Sequence, residues 1–172
     1  SLANDCGRLS TAAFCWLLVP VSRFTVLPRA WKLSDVHVLR MHIWGGTLAV
    51  VAAIAHGLYF TGIWIKRNTL TMEHVFPGRD CYRAGYSGEC GGKFVNLTGI
   101  VCGFAMLALG LTSAWRVRRR YYRVFYAAHV LLSVTMLFGL ALHDRGIVWY
   151  LAPSLLYYLA SDLPPAVEGL FK

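Results

Sequence analysis

Long apolar runs separated by short polar and basic segments dominate the pattern of this sequence. Met41–Ile65 is a run of 25 residues without Asp, Glu, Lys or Arg, Phe94–Trp115 is one of 22, and Val124–His143 is one of 20. A helix needs about 20 mostly apolar residues to cross the hydrocarbon core of a bilayer. Each run therefore predicts a transmembrane helix, whereas barrel strands would alternate apolar and polar positions.

Two further runs near the chain ends are weaker. Leu9–Pro28 is interrupted by Arg23, and we expect a bend at Pro20 because proline cannot donate its backbone hydrogen bond. Gly146–Ser161 has 16 residues without a charge. We therefore expect an all-α membrane protein with one domain over residues 1–172 and spans at 9–28, 36–65, 94–115, 124–143 and 146–161.

Composition and charge agree with a membrane setting. The chain is 57% hydrophobic, only 15% charged, and carries a net charge of +9. The positive charge is concentrated in two loops, Arg23–Arg40 and Arg116–Arg123, which the positive-inside rule places in the cytosol. This predicts an N-terminus outside and a cytosolic C-terminus. Because the basic residues lie in loops beside lipid headgroups, we expect the bilayer as a partner and no nucleic acid.

Four histidines fall inside the predicted spans: His42, His56, His129 and His143. Histidine is unfavourable in lipid, so each is a candidate functional residue. His42 and His56 are fourteen residues apart, and so are His129 and His143. Fourteen residues of helix correspond to about 1400° of rotation, about 40° short of four turns, and to a rise of about 21 Å. Each helix thus presents two histidines on one face. If both helices run outward, His42 and His129 face each other at the inner level and His56 and His143 at the outer level.

Facing imidazoles at two depths suit two haem b groups. Neutral imidazole is a haem ligand, and two axial histidines leave no open position on the iron, which favours electron transfer. The iron ligands would be His42 with His129 and His56 with His143. A tetrahedral zinc site needs four converging ligands, which these distant pairs cannot supply. Packed histidines or a proton path remain alternatives.

Several neighbouring residues fit this prediction but have a simpler interpretation as well. Arg23 and Arg40 can pair with propionates of the inner haem, or can act only as cytosolic anchors. Glycines near the histidines allow a ring or another helix to approach closely; they are Gly45, Gly46 and Gly139. Cys81 and Cys90 lie in the loop predicted to be outside, where they can form a disulfide or remain free thiols.

Five segments carry a further signal: Leu17–Arg23, Arg40–His56, Asn96–Gly99, Arg119–Tyr126 leading into His129, and Trp149–Pro153. They resemble helix motifs of the NADPH oxidase family and the wider ferric-reductase superfamily. The resemblance covers nearly the whole chain. It implies a six-helix ferric-reductase-type membrane domain of which five helices are present, so we expect a piece of a longer protein that lacks the first helix and the cytosolic dehydrogenase domain.

The resemblance also implies an oxidoreductase. NADPH would reduce FAD in a missing or separate cytosolic domain, and electrons would pass through the inner and outer haems to an extracytosolic acceptor. Dioxygen, giving superoxide, is the expected acceptor; a ferric- or cupric-chelate reductase, or a haem-binding partner subunit without its own reductase domain, are the alternatives. No acid, base or nucleophile of this segment is expected to act in catalysis.

Two departures from the oxidase pattern bear on the acceptor. Oxidases place a further histidine one turn past the outer ligand, where this chain has Phe60. They also place an arginine where this chain has Asn4, with Arg8 nearby. Both departures weaken the assignment of dioxygen.

Overall fold

The computed structural model describes residues 2–18, 30–78, 80–81, 88–144 and 146–170. Within these ranges the chain forms α-helices and no strand, as the sequence predicts for an all-α protein. In chain order the helices are α1 (Leu2–Leu17), α2 (Asp35–Lys66), α3 (Met72–Val75), α4 (Gly88–Thr112), α5 (Trp115–Arg120), α6 (Tyr122–His143) and α7 (Ile147–Leu170).

Three of these helices, α2, α4 and α6, are long and apolar enough to cross a membrane. They contain 32, 25 and 22 residues and overlap the three central apolar runs of the sequence. At 1.5 Å per residue, α2 is about 48 Å long, which exceeds the hydrocarbon thickness of about 30 Å. Its ends therefore project beyond the lipid core.

The helices near the two chain ends differ in extent from the predicted apolar runs. Helix α1 begins at Leu2 rather than residue 9, and the remainder of that run from residue 19, with Pro20 and Arg23, lies outside the described residues. Helix α7 continues to Leu170, past the end of its apolar portion at Ser161. Hydropathy reports what lipid can cover, whereas backbone hydrogen bonding decides where a helix ends, so the two boundaries need not coincide.

Two helix pairs form the framework: α1 packs along α2, and α4 packs along α6. Helix α2 also contacts α4, which joins the pairs, and α7 packs against α1. Large apolar side chains point outward, as Phe104 and Phe138 do with 70% of their surface exposed. Such an exterior is unfavourable in water and suits lipid as the solvent.

A small apolar core lies midway along the framework. It consists of Phe14, Cys102, Ala105, Met106 and Met136. Met136, only 2% exposed, is seven residues from both His129 and His143, and Ala49, 1% exposed, is seven from both His42 and His56. The core therefore separates the two histidine levels.

The glycines singled out in the sequence serve helix packing. A Cβ on Gly45 would lie 3.0 Å from Leu17 Cδ2 of α1, and a Cβ on Gly139 would lie 2.5 Å from Cys102 Sγ of α4. These positions allow α1 to approach α2 and α4 to approach α6. The simpler interpretation of these glycines, close contact between helices, is the one that the structure displays.

The segment before α4 is closed by a disulfide between Cys81 and Cys90. The disulfide joins residues nine apart in sequence and links Cys81 covalently to the first turn of α4. The two cysteines are therefore not free thiols. Cys15 and Cys102 are free and buried, whereas Cys6 is free and half-buried.

Candidate functional site

The four histidines of the central helices meet in two pairs, each joining α2 to α6. The ring centroids of His42 and His129 are 5.9 Å apart, with ring planes inclined by 59°. Those of His56 and His143 are 6.2 Å apart and almost perpendicular, at 89°. Helix α4 packs against both α2 and α6, whereas contacts between α2 and α6 themselves are few or absent.

The outer pair is held by backbone carbonyls. His56 Nδ1 lies 2.8 Å from the Ala3 carbonyl oxygen of α1, and His143 Nδ1 lies 3.0 Å from the Val95 carbonyl oxygen of α4. A carbonyl only accepts, so each Nδ1 carries the proton and donates it. In a neutral imidazole this leaves the Nε2 lone pair free to bind a metal ion.

The outer pair has an aromatic neighbour on one side and a cavity on the other. Phe60 approaches His56 edge-on, with ring centroids 5.0 Å apart. Beside His143 an open cavity of about 350 Å³ lies between the start of α4 and the end of α6. Glycines and one carboxylate contribute to its lining, which includes Gly88, Gly91, Gly92 and Asp144. His143 itself contributes to this lining.

The inner pair has different partners. His129 Nδ1 lies 3.1 Å from the Ser113 hydroxyl oxygen, and the Phe125 ring lies 5.3 Å from the His129 ring. His42 Nδ1 is buried and has no hydrogen-bond partner among the residues that the structure describes. A hydroxyl can donate or accept, so neither inner tautomer is fixed by an obligatory acceptor.

The predicted arginines are less defined than the histidines. Arg40 lies two residues before His42, and its side chain is exposed. Arg23 lies outside the described residues. On α5, which follows the inner end of α4, Arg119 stacks 4.8 Å over the Trp115 ring and Arg120 lies 5.7 Å over the Tyr121 ring. The sequence predicts that this basic segment lies at the cytosolic surface.

The spacing of the pairs can be tested against a shared metal ion. Two imidazoles on opposite sides of one ion, each with a metal–nitrogen bond of about 2 Å, have ring centres about 6 Å apart. Both pairs fit this value. No group of three or more His, Cys, Asp or Glu side chains converges within the described ranges. Each pair thus offers two nitrogen ligands, and a haem macrocycle would supply the other four.

Sequence reasoning brings the histidines into pairs but misses what orients them. Ala3 and Val95 act through backbone carbonyls, which every residue possesses and which therefore leave no pattern. Ser113 lies in the predicted span 94–115 but has no obvious link to His129, sixteen residues away. The sequence signal that could have indicated the partners of the outer histidines is a glycine at their depth on each neighbouring helix, Gly7 on α1 and Gly99 on α4.

Comparisons with known proteins point to one family. Residues 6–140 match the family described as "Ferric reductase like transmembrane component". The chain is 30% identical over 137 residues to "Probable ferric reduction oxidase 1" of Arabidopsis thaliana, which covers 80% of this chain and 18% of that protein. It is 26% identical over 175 residues to "Probable metalloreductase AIM14" of Yarrowia lipolytica, which covers 97% of this chain and 29% of that protein.

A third relative is "Ferric reduction oxidase 3, mitochondrial" of Arabidopsis thaliana, 29% identical over 138 residues that cover 80% of this chain and 17% of that protein. The chain spans less than a third of the length of these curated relatives. No solved structure gives a significant match. The resemblance to ferric-reductase-type transmembrane domains is confirmed: with a match over residues 6–140, the chain belongs to the ferric reductase like transmembrane component family.

Proposed function

We propose that this chain is the membrane part of an oxidoreductase that passes electrons through two haem b groups to an extracytosolic ferric or cupric chelate. The carrying observation is the pair of facing histidines at each of two depths, with ring spacings that fit one metal ion per pair. NADPH and FAD would bind in a cytosolic domain, on the same chain or on a partner. The family match supports the ferric-reductase type.

His42 and His129 would hold the inner haem, and His56 and His143 the outer one. When bound, each haem supplies an iron that accepts and gives up one electron at a time. The chain's own contribution is to fix the ligands. The Ala3 and Val95 carbonyls hold the outer imidazoles with Nε2 available. No proton has to move on these side chains.

The basic inner end suits the propionates of the inner haem. Arg40 is exposed one helical half-turn before His42, and a guanidinium forms charge-assisted hydrogen bonds with carboxylates. We propose that Arg40 pairs with a propionate, and we extend this proposal to Arg23 on the sequence alone. The same basic residues support a cytosolic inner end, hence an N-terminus outside and a C-terminus inside.

A metal chelate is a better-supported acceptor than dioxygen. The relatives that match are named ferric reduction oxidases and metalloreductases. The position of the extra oxidase histidine holds Phe60, which packs edge-on against His56 and offers no hydrogen bond. The open cavity beside His143 is lined in part by Asp144, a carboxylate, and we propose this cavity as the place where the chelate approaches the outer pair.

The test begins with the haem content of purified, haem-replete protein. We expect two haems per chain and b-type bands in the reduced-minus-oxidised spectrum. Dithionite-reduced protein is then mixed, without oxygen, with a ferric chelate, and in a second arm with air-saturated buffer. Faster reoxidation by the chelate supports the proposed acceptor, whereas faster reoxidation by oxygen overturns it in favour of superoxide formation. A spectrum without b-type bands would overturn the haem assignment itself.

A further inference from the structure

We propose that Gly7 and Gly99 are positioning residues for the outer haem. Each allows a histidine ring to lie directly against a helix and to donate its Nδ1 proton to the carbonyl four residues before the glycine. This contact would set both the ring orientation and the tautomer of His56 and His143. The inference deepens the proposed function and rests on it, since it assigns a role to residues that touch the proposed ligands rather than the iron.

On helix α1, the His56 ring occupies the space that a side chain at position 7 would need. A Cβ on Gly7 would lie 2.8 Å from His56 Nδ1 and 2.9 Å from His56 Cε1. The same ring donates to Ala3, one turn earlier on that helix. Contacts to a Cβ under 3.0 Å are essentially never found in proteins, so alanine at position 7 would displace the ring from its acceptor.

Helix α4 repeats this arrangement with different residues. A Cβ on Gly99 would lie 2.7 Å from His143 Cε1 and 3.0 Å from His143 Nδ1. The ring donates to Val95, again four residues before the glycine. The same solution thus occurs twice, on two helices and for the two ligands of one site.

Helix geometry explains why glycine is needed. In an α-helix each Cα–Cβ bond tilts towards the N-terminus, so a side chain at position i covers the carbonyl of the preceding turn. That carbonyl already accepts the N–H of residue i but has a second lone pair. Without a Cβ the second lone pair is open to a group from a neighbouring helix. An imidazole then reaches it with the Nδ1–Cε1 edge of its ring against the glycine.

The arrangement is confined to the outer pair. His129 contacts the Ser113 hydroxyl, and within the described part of the chain His42 Nδ1 has no hydrogen-bond partner. Partners of the second ring nitrogen fix a ligating histidine and typically change metal affinity by about 10- to 100-fold when they are removed. Loss of the glycines should therefore weaken the outer haem selectively.

The experiment compares Gly99→Ala with Gly103→Ala in the full chain. Both positions are in α4, one turn apart, but a Cβ on Gly103 would meet nothing within 4 Å. Since both changes favour the helix to the same extent, they differ only at the ring. For the His56 contact, Gly7→Ala is compared with Gly57→Ala, because a Cβ on Gly57 would also meet nothing within 4 Å.

The readouts are haem bound per chain across a haem titration and the optical and EPR spectra of the haem that remains. We expect Gly7→Ala and Gly99→Ala to bind the outer haem about 10- to 100-fold more weakly, with a residual spectrum that matches the inner haem left by His143→Ala. Gly57→Ala and Gly103→Ala should keep both haems and unchanged spectra.

The outcomes separate this inference from the proposed function. If the unchanged protein binds no haem, the proposed function falls. If it binds two haems and Gly99→Ala behaves like Gly103→Ala, the positioning role is wrong while the proposed function stands. Equal loss of both haems would also overturn it, since the role is confined to one level. Should Gly99→Ala fail to fold, the Gly7→Ala and Gly57→Ala pair decides by the same criteria.

Discussion

The outer and inner histidine pairs have nearly the same spacing but are held in different ways. The outer rings, His56 and His143, donate to main-chain carbonyls. The inner ring of His129 contacts a serine hydroxyl, and the buried Nδ1 of His42 has no hydrogen-bond partner within the described ranges. A carbonyl fixed in a helix can neither rotate nor donate, whereas a hydroxyl can do both. The outer ligands are therefore oriented by main-chain atoms of the fold, whereas the contact to His129 comes from a replaceable side chain.

This difference follows from which residues the neighbouring helices present at each level. Gly7 and Gly99 leave the carbonyl of the preceding turn open, so the outer rings dock on backbone. At the inner level Gly45 faces Leu17 instead of a histidine, and the contact to His129 comes from Ser113 in the turn that follows α4. Substitutions should therefore affect the two levels separately.

The largest effect should come from removing one ligand. We expect His143→Ala to lose the outer haem alone and His129→Ala the inner haem alone, because the levels lie about 21 Å apart. Haem content and the reduced-minus-oxidised spectrum would show one haem per chain in each variant, with different band positions. His37→Ala is the control, since His37 is exposed and contacts Ser34; it should keep two haems. Loss of both haems in either ligand variant would contradict independent levels.

The disulfide provides a change at the outer end without touching a ligand. A cross-link between residues nine apart stabilises the folded chain by about 2–3 kcal/mol through the entropy of the unfolded state. Cys81→Ser with Cys90→Ser should thus lower the thermal unfolding temperature and alter reoxidation at the cavity beside His143. The inner haem spectrum should not change. Cys6→Ser, which removes a free thiol, is the control and should leave stability nearly unaffected; an equal loss in both variants would argue against the cross-link.

The smallest of these effects should come from Ser113→Ala. It removes the hydroxyl beside His129 Nδ1, so we expect about a 10-fold loss of affinity at the inner level, the lower end of what such partners contribute. Haem titration monitored optically measures it. Ser34→Ala removes a similar contact, 2.6 Å from the exposed His37, and should change neither haem. A weakened outer haem in Ser113→Ala would show that the two levels are not separate.

Side-chain spacing allowed the sequence to predict the pairing of the histidines, since periodicity depends only on residue positions. The equal spacing of fourteen residues on α2 and α6 is enough to expect both pairs. What orients the rings could not be predicted, because the partners at Ala3 and Val95 are main-chain atoms identical in every residue. The role of Gly45 and Gly139 could not be predicted either, because a glycine near a ligand in sequence can face either a ring or another helix.

Helix boundaries were predictable only where lipid determines them. The three central runs overlap α2, α4 and α6, because a span must be apolar over the bilayer thickness. At Leu2 and Leu170 the helices extend into sequence that carries charges. Polar residues are compatible with helix outside the hydrocarbon core, so hydropathy gives no signal there.

The apolar core between the two levels has an electrical consequence. Around Met136 and Ala49 the described helices bury apolar side chains, and the Ser10 hydroxyl donates a hydrogen bond to the Ala49 carbonyl oxygen. Apolar packing of this kind is unfavourable for ions, whereas an electron can cross it without a polar path. On the proposed function each transfer therefore moves one uncompensated negative charge outward, which costs about 2.3 kcal/mol per 100 mV of opposing potential. Sustained turnover then depends on a separate pathway in the same membrane that carries compensating charge.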